Sequence, residues 1–122
     1  MHFLGSMEYE KLPHLYRNAL VFVLPSRLET FGHPLVEAMA SGVPIVASDL
    51  PICREICQNA ALYFDVNDAS ELAQRIVTLI ENPELRQRLR EFGLERAKEF
   101  SWERTAAQMV EIFEEVINGR SA

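Results

Sequence analysis

Val21 to Asp49 reads VFVLPSRLETFGHPLVEAMASGVPIVASD, and this stretch decides the fold. The apolar run Leu20 to Leu24, closed by Pro25, has the pattern of a strand buried on both faces. Val43 to Ala47 repeats it. Between them Pro34 to Ser41 reads as a helix: Pro34 suits the first helical position, and Gly42 terminates it. Pro44 falls at a strand start. Strand, loop, helix and strand in this order predict parallel strands with a helical crossover. The loop after Leu24 therefore leaves the carboxyl end of a strand, where open α/β sheets place their ligands.

That loop has the chemistry of an anion site. Gly32 lets backbone approach a ligand closely. The free amides from Gly32 to Leu35 point outward at the positive end of the helix dipole, ready for a diphosphate or for sugar hydroxyls. Glu29 precedes this site and Glu37 lies about one turn into the helix, so both carboxylates are expected to open onto one cleft. Spacing alone does not select them, because glutamates eight apart recur at Glu91/Glu99, Glu95/Glu103 and Glu103/Glu111. Those three pairs fall in amphipathic helices. The pair at Glu29 and Glu37 is set apart by the strand before it, the glycine within it and the helix start.

Outward from this unit the alternation continues. Phe3-Leu4 ends a first strand at Gly5, and Ala61 to Phe64 forms a last one, giving about four strands in all. Helices are expected over Tyr9 to Asn18, broken at Pro13, and over Pro51 to Ile56. Beyond Phe64 the chain reads as wholly helical. Asp68 and Glu71 have the spacing of a capping box, followed by an apolar stripe of Ala69, Leu72, Ala73, Ile76, Leu79 and Ile80. Asn82-Pro83 starts the next helix, with Leu85, Leu89 and Phe92 as its buried face. Ser101 caps the last one, whose stripe is Trp102, Ala106, Met109, Phe113 and Val116, with Trp102 a core anchor. The fold class is α/β: a partial Rossmann-like parallel sheet with flanking helices and an all-helical C-terminal part. Residues 1–122 form one domain.

Composition narrows the partners. A net charge of −6 disfavours nucleic acid, while a small anionic ligand needs only helix amides. No apolar run approaches the ~20 residues that span a bilayer, and Met1 to Glu10 lacks the pattern of a secretion signal. A cytoplasmic protein is expected. Cys53 and Cys57, the two cysteines, make neither a zinc site nor a disulfide framework and are read as reduced. No metal site and no cofactor are expected.

In this ordered set the chain resembles family 4 glycosyltransferases, also called glycosyl transferases group 1, which have the two-domain GT-B fold. The signature runs Glu29, Phe31-Gly32, Glu37, then Ala38-Met39-Ala40-Ser41-Gly42-Val43-Pro44 and Ala47-Ser48. Tyr9 to Ala19, Asn82-Pro83-Glu84-Leu85 and Phe100-Ser101-Trp102 extend the likeness over nearly the whole chain.

The resemblance implies the C-terminal, donor-binding half of a GT-B enzyme and assigns roles. Glu29 contacts the donor sugar beside the reacting centre and is the catalytic candidate. Amides of Phe31, Gly32 and His33 hold sugar hydroxyls or phosphate, Leu35 offers a backbone contact to the nucleotide diphosphate, and Glu37 bonds the ribose hydroxyls. Transfer with retention and without a metal is implied, the donor being a nucleotide diphosphate sugar. The family's domain begins with two further strands and a Gly-Arg-Leu…Lys-Gly stretch that grips the diphosphate. This sequence contains neither, so an N-terminally incomplete site is expected, inactive alone. In sheet order 3-2-1-4-5-6 the strand at Leu20 to Leu24 then loses a neighbour. Three arrangements follow: Met1-Leu4 pairs beside it, pairs with another copy, or stays loose. Self-association through the exposed edge, most simply as a dimer, is favoured.

The alternative is a non-catalytic glycosyltransferase-like module acting through a partner chain. A glycoside hydrolase would need two carboxyls facing one bond across a sugar ring, not carboxylates straddling a helix start. A Rossmann dehydrogenase would need Gly-x-Gly-x-x-Gly after a strand, and none is present.

Overall fold

The computed structural model describes residues 1–119, apart from the side chain of Trp102, so the expected anchoring role of Trp102 lies outside the described residues. Three strands, β1 (Phe22–Leu24), β2 (Ile45–Ser48) and β3 (Ala61–Phe64), form a parallel sheet in the order β1-β2-β3. Phe22 is paired with Ile45, and Ile45 with Ala61. Six α-helices accompany them: α1 (Leu12–Asn18), α2 (His33–Ser41), α3 (Pro51–Cys57), α4 (Ala69–Glu81), α5 (Pro83–Ala97) and α6 (Trp102–Ile117). The crossovers β1-α2-β2 and β2-α3-β3 are those expected.

The period-two alternation of the strands sorts the core into two layers. Phe22, Leu24, Ile45, Ala47, Ala61 and Tyr63 face one way and pack with Leu35, Met39, Cys53, Ile56 and Cys57 of α2 and α3. Val21, Val23, Val46, Leu62 and Phe64 face the other and pack with Leu72, Ile76 and Leu79 of α4 and Leu85 and Leu89 of α5. All of β2 is buried, as a central strand covered on both faces must be. Ser48 within it is fully buried, its hydroxyl donating to the Leu24 carbonyl at 3.1 Å, so it serves the sheet rather than a cleft.

Several expectations are corrected. Phe3-Leu4 forms no strand, and Phe3 and Leu4 are exposed, so among the described residues the sheet has three strands rather than about four and nothing pairs with the free side of β1. A strand of two apolar residues ending at a glycine has too few ladder bonds to hold itself there. The edge position explains why β1 is half-buried rather than fully enclosed. Pro13 does not break a helix: a 3-10 turn at Tyr9–Lys11 leads into α1, and Pro13 sits in its first turn, where a missing N–H costs nothing. The capping box is half made, since Asp68 accepts from the Glu71 amide while Glu71 turns to the Asp65 amide and Arg75. Ala69, Ala73 and Ile80, expected on the α4 stripe, are exposed.

Phe92 is exposed as well, and Gly93 takes the buried place on α5. Without a side chain there the helix lies directly on Met39, and a Cβ at Gly93 would stand 3.5 Å from the Met39 Cα. One turn on, Arg96 donates to the carbonyls of Glu55 and Ile56, both at 2.9 Å, a cation closing the negative end of α3. Glu55 is an exposed residue of that helix.

The stripe on α6 is not a buried face. Met109, Phe113 and Val116 are exposed, Phe113 by 58%. Among the described residues no helix is long and apolar enough to cross a membrane.

Candidate functional site

Gly32 is the residue on which the site turns. Its φ of 63° and ψ of 30° place it in the left-handed region at the N-cap of α2, a conformation glycine adopts without a steric penalty. A Cβ there would collide with the Ile56 Cδ1 of α3. The left-handed turn thus calls for glycine, and an added methyl would also have to push aside the end of the Ile56 side chain on α3. The turn delivers the chain from β1 into α2, which begins at His33 at the carboxyl end of the strand, as expected.

Glu29 closes the turn from the other side. Its Oε1 accepts from the Gly32 amide at 3.3 Å and its Oε2 from the Ser26 hydroxyl at 3.3 Å. A carboxylate at the positive end of α2 is stabilised by the helix amides and dipole. It also stands near α3: burial pushes the Cys53 thiol up, and the charge of Glu29 pushes it further. Leu35 is fully buried, and its amide donates to the Gly32 carbonyl at 2.9 Å. The amides of Gly32 and Leu35 are therefore engaged within the turn, whereas those of Phe31 and His33 have no partner among the described residues. Of the outward-pointing set expected at this helix start, these two are the ones available to a ligand.

Glu37 lies one turn into α2 and is partly buried. Together with Phe31, His33 and Val36 it lines a cavity of about 750 Å³, closed on its far side by Tyr9, Glu99, Phe100, Thr105 and Gln108. Phe31, 72% exposed, lies 5.8 Å from the His33 ring and forms a bare aromatic wall. A second cavity of about 520 Å³ meets the first at Tyr9 and Glu37 and is bounded by Tyr16, Arg17, Ala40, Ser41 and Arg90 among others. Phe31, His33 and Glu37 thus share one cleft. Glu29, Gly32 and Leu35 are not among its lining residues and form the turn beside it. The expectation that both carboxylates open onto one cleft holds for Glu37 alone, because Glu29 is drawn into hydrogen bonds that close the turn.

Two residues at Glu37 had no signal in the pattern. Tyr16 donates to its Oε2 at 3.2 Å and Tyr9 to its Oε1 at 3.4 Å. Both precede Glu37 by more than twenty positions, so no local spacing could connect them.

A parallel sheet with a glycine-opened helix at its carboxyl end and a carboxylate in the adjoining cleft is the architecture of the C-terminal half of a GT-B fold. Sucrose-phosphate synthase from Thermosynechococcus elongatus matches it with a TM-score of 0.87 at 31% identity, over 97% of this chain and 30% of that one. The chain belongs to the family glycosyl transferases group 1, which matches residues 1–96. The O-antigen chain mannosyltransferase B of Escherichia coli is 36% identical over 113 residues, covering 93% of this chain and 30% of that protein. The phosphatidyl-myo-inositol mannosyltransferase of Mycobacterium leprae is 33% identical over 124 residues, covering 99% of this chain and 33% of that protein. The chain spans about a third of the length of the curated relatives it matches.

Proposed function

We propose that the chain is the donor-binding portion of a retaining, metal-independent glycosyltransferase that uses a nucleotide diphosphate sugar. The observation that carries the reading is the position of Glu37 on the wall of the cleft that begins at the N-terminus of α2, beside Phe31 and His33. A nucleoside diphosphate sugar has the matching order of groups. Its phosphates suit the free amides of Phe31 and His33, and its ribose diol suits a carboxylate one turn further on. Gly32 lets these amides approach the ligand, Leu35 contributes backbone at the same turn, and Glu29, in the turn beside the cleft, is assigned to the transferred sugar. On donor binding the Gly32 and Leu35 amides would exchange their present partners for ligand oxygens.

In the reaction the bond between the anomeric carbon and the diphosphate oxygen breaks. The acceptor hydroxyl oxygen bonds to the same face of that carbon, and its proton passes to the departing phosphate oxygen. The basic groups that stabilise the diphosphate in this family are not in this sequence, which supports the proposal that the 122-residue chain alone is inactive. Two buried thiols that form no disulfide suit the reducing cytoplasm, the compartment we assign.

The test is a panel of nucleotide sugars offered to the full-length protein that carries this sequence. Mannosyl donors come first, since several relatives are mannosyltransferases. Transfer with an α- or β-linkage matching that of the donor is expected, unchanged by a chelator. The purified 122-residue chain should show none. A full-length protein that binds no nucleotide sugar would favour the non-catalytic module, and one that inverts would refute the retaining mechanism.

The isolated chain is also proposed to self-associate, most simply as a dimer. β1 has an open edge, and α6 exposes Met109, Phe113 and Val116. Light scattering over a concentration series should show mass rising above that of one chain, and a constant monomer mass would overturn this.

A further inference from the structure

Glu37 is held in a way that the donor site alone does not require. Its two oxygens accept from two phenols on the segment before β1: Tyr16 at Oε2, 3.2 Å, and Tyr9 at Oε1, 3.4 Å. The two phenols are not equivalent. The Tyr16 ring is partly buried, packs on the core beneath α2 and lies 5.2 Å from the Phe22 ring of β1. Tyr9 sits on a 3-10 turn and is 72% exposed. One donor is fixed to the sheet, and the other is free to swing.

We propose that Tyr16 is the positioning residue for the nucleotide's ribose, fixing the plane of the Glu37 carboxylate by its bond to Oε2 so that a vicinal diol can be held. The proposal rests on the donor-site reading above. A carboxylate has about four acceptor positions, and two phenols occupy two, leaving one on each oxygen for a pair of ligand hydroxyls. A lysine or arginine in place of the phenol would neutralise the charge that attracts those hydroxyls. A neutral phenol orients the carboxylate and leaves its charge in place. Burial, and then the charge of Glu37, push the Tyr16 phenol up to about 12, so it remains a proton donor throughout the working range. Tyr9, with the longer and exposed bond, is the partner that moves aside when a ligand enters. The ligand class selected is a ribonucleoside diphosphate rather than its dideoxy counterpart, because both hydroxyls of the diol are read.

The experiment is calorimetric binding of UDP, GDP and ADP, and of their 2′,3′-dideoxy forms, to the full-length protein and its variants. Whichever base binds is carried forward. Tyr16→Phe keeps the ring and its packing and removes only the hydroxyl. It is expected to weaken the ribonucleotide about fivefold to tenfold and to leave the dideoxy form within twofold, so that the ratio of the two collapses. That ratio does not depend on the folded fraction, which keeps the test valid if the variant is less stable. A loss shared equally by both nucleotides would mean a structural role and would overturn the proposal, as would an unchanged ratio. Glu37→Gln separates the two levels. If it leaves ribonucleotide binding intact, the donor-site reading fails; if it weakens binding while Tyr16→Phe does not, only the role of Tyr16 fails.

Discussion

Glu37→Gln in the full-length protein is expected to lower kcat/KM for the nucleotide sugar about 100-fold. Two hydrogen bonds from a diol to a charged acceptor contribute roughly 1.5–3 kcal/mol each, and glutamine keeps one weaker acceptor while turning an N–H toward the other donor. The amide would also set its N–H against one of the two phenols that now donate to the carboxylate. Since the side chain lies at a cavity wall and not in the core, thermal stability should move little, within about 2 °C. Initial-rate kinetics with varied donor, alongside a melting curve, make the measurement. A change below threefold in kcat/KM would remove Glu37 from the donor site.

Gly32→Ala should act through stability. The left-handed backbone costs an L-residue about 1–2 kcal/mol, and the new methyl must displace the Ile56 Cδ1 from a packed core. Together these amount to about 2–4 kcal/mol, enough to lower the melting temperature of the domain by 10 °C or more. Gly119→Ala is the control, since Gly119 has a φ of 73° but nothing among the described residues within 4 Å of an added Cβ. It incurs the backbone strain alone and should cost about 1 kcal/mol. Equal losses at the two positions would show that the contact with α3 contributes nothing. A Gly32→Ala protein that melts normally would show that the turn rebuilds itself.

The βαβ unit from Val21 to Asp49 was legible because its information is local. An apolar run closed by proline, a glycine before a proline-led helix and a glycine after it each fix backbone within a few residues. The structure places β1, α2 and β2 accordingly, with Gly32 and Gly42 as left-handed caps. The family signature is of the same kind, an ordered string that survives whatever surrounds it. The caps at Asp68, Asn82 and Ser101 were legible for the same reason, each accepting from an amide three residues on.

Burial was less legible, because an apolar stripe says that a helix has a face and not what meets it. Phe92 fits the periodicity of α5, yet it is Gly93 that lies buried against Met39 while Phe92 is exposed. The α6 stripe is as regular as that of α4, but Ala106, Met109, Phe113 and Val116 on it are exposed.

What the sequence by itself determined is therefore the order of strands and helices, the glycine-led turn and the family. Each depends on short-range backbone preference or on an ordered motif. Only the tertiary structure decided that Phe3-Leu4 stays out of the sheet, that Glu29 turns inward to the Gly32 amide, and that two tyrosines donate to Glu37. These depend on which surfaces meet across more than twenty residues of chain, or on how several weak contacts compete for one carboxylate. No periodicity of 3.6 or 2 records either.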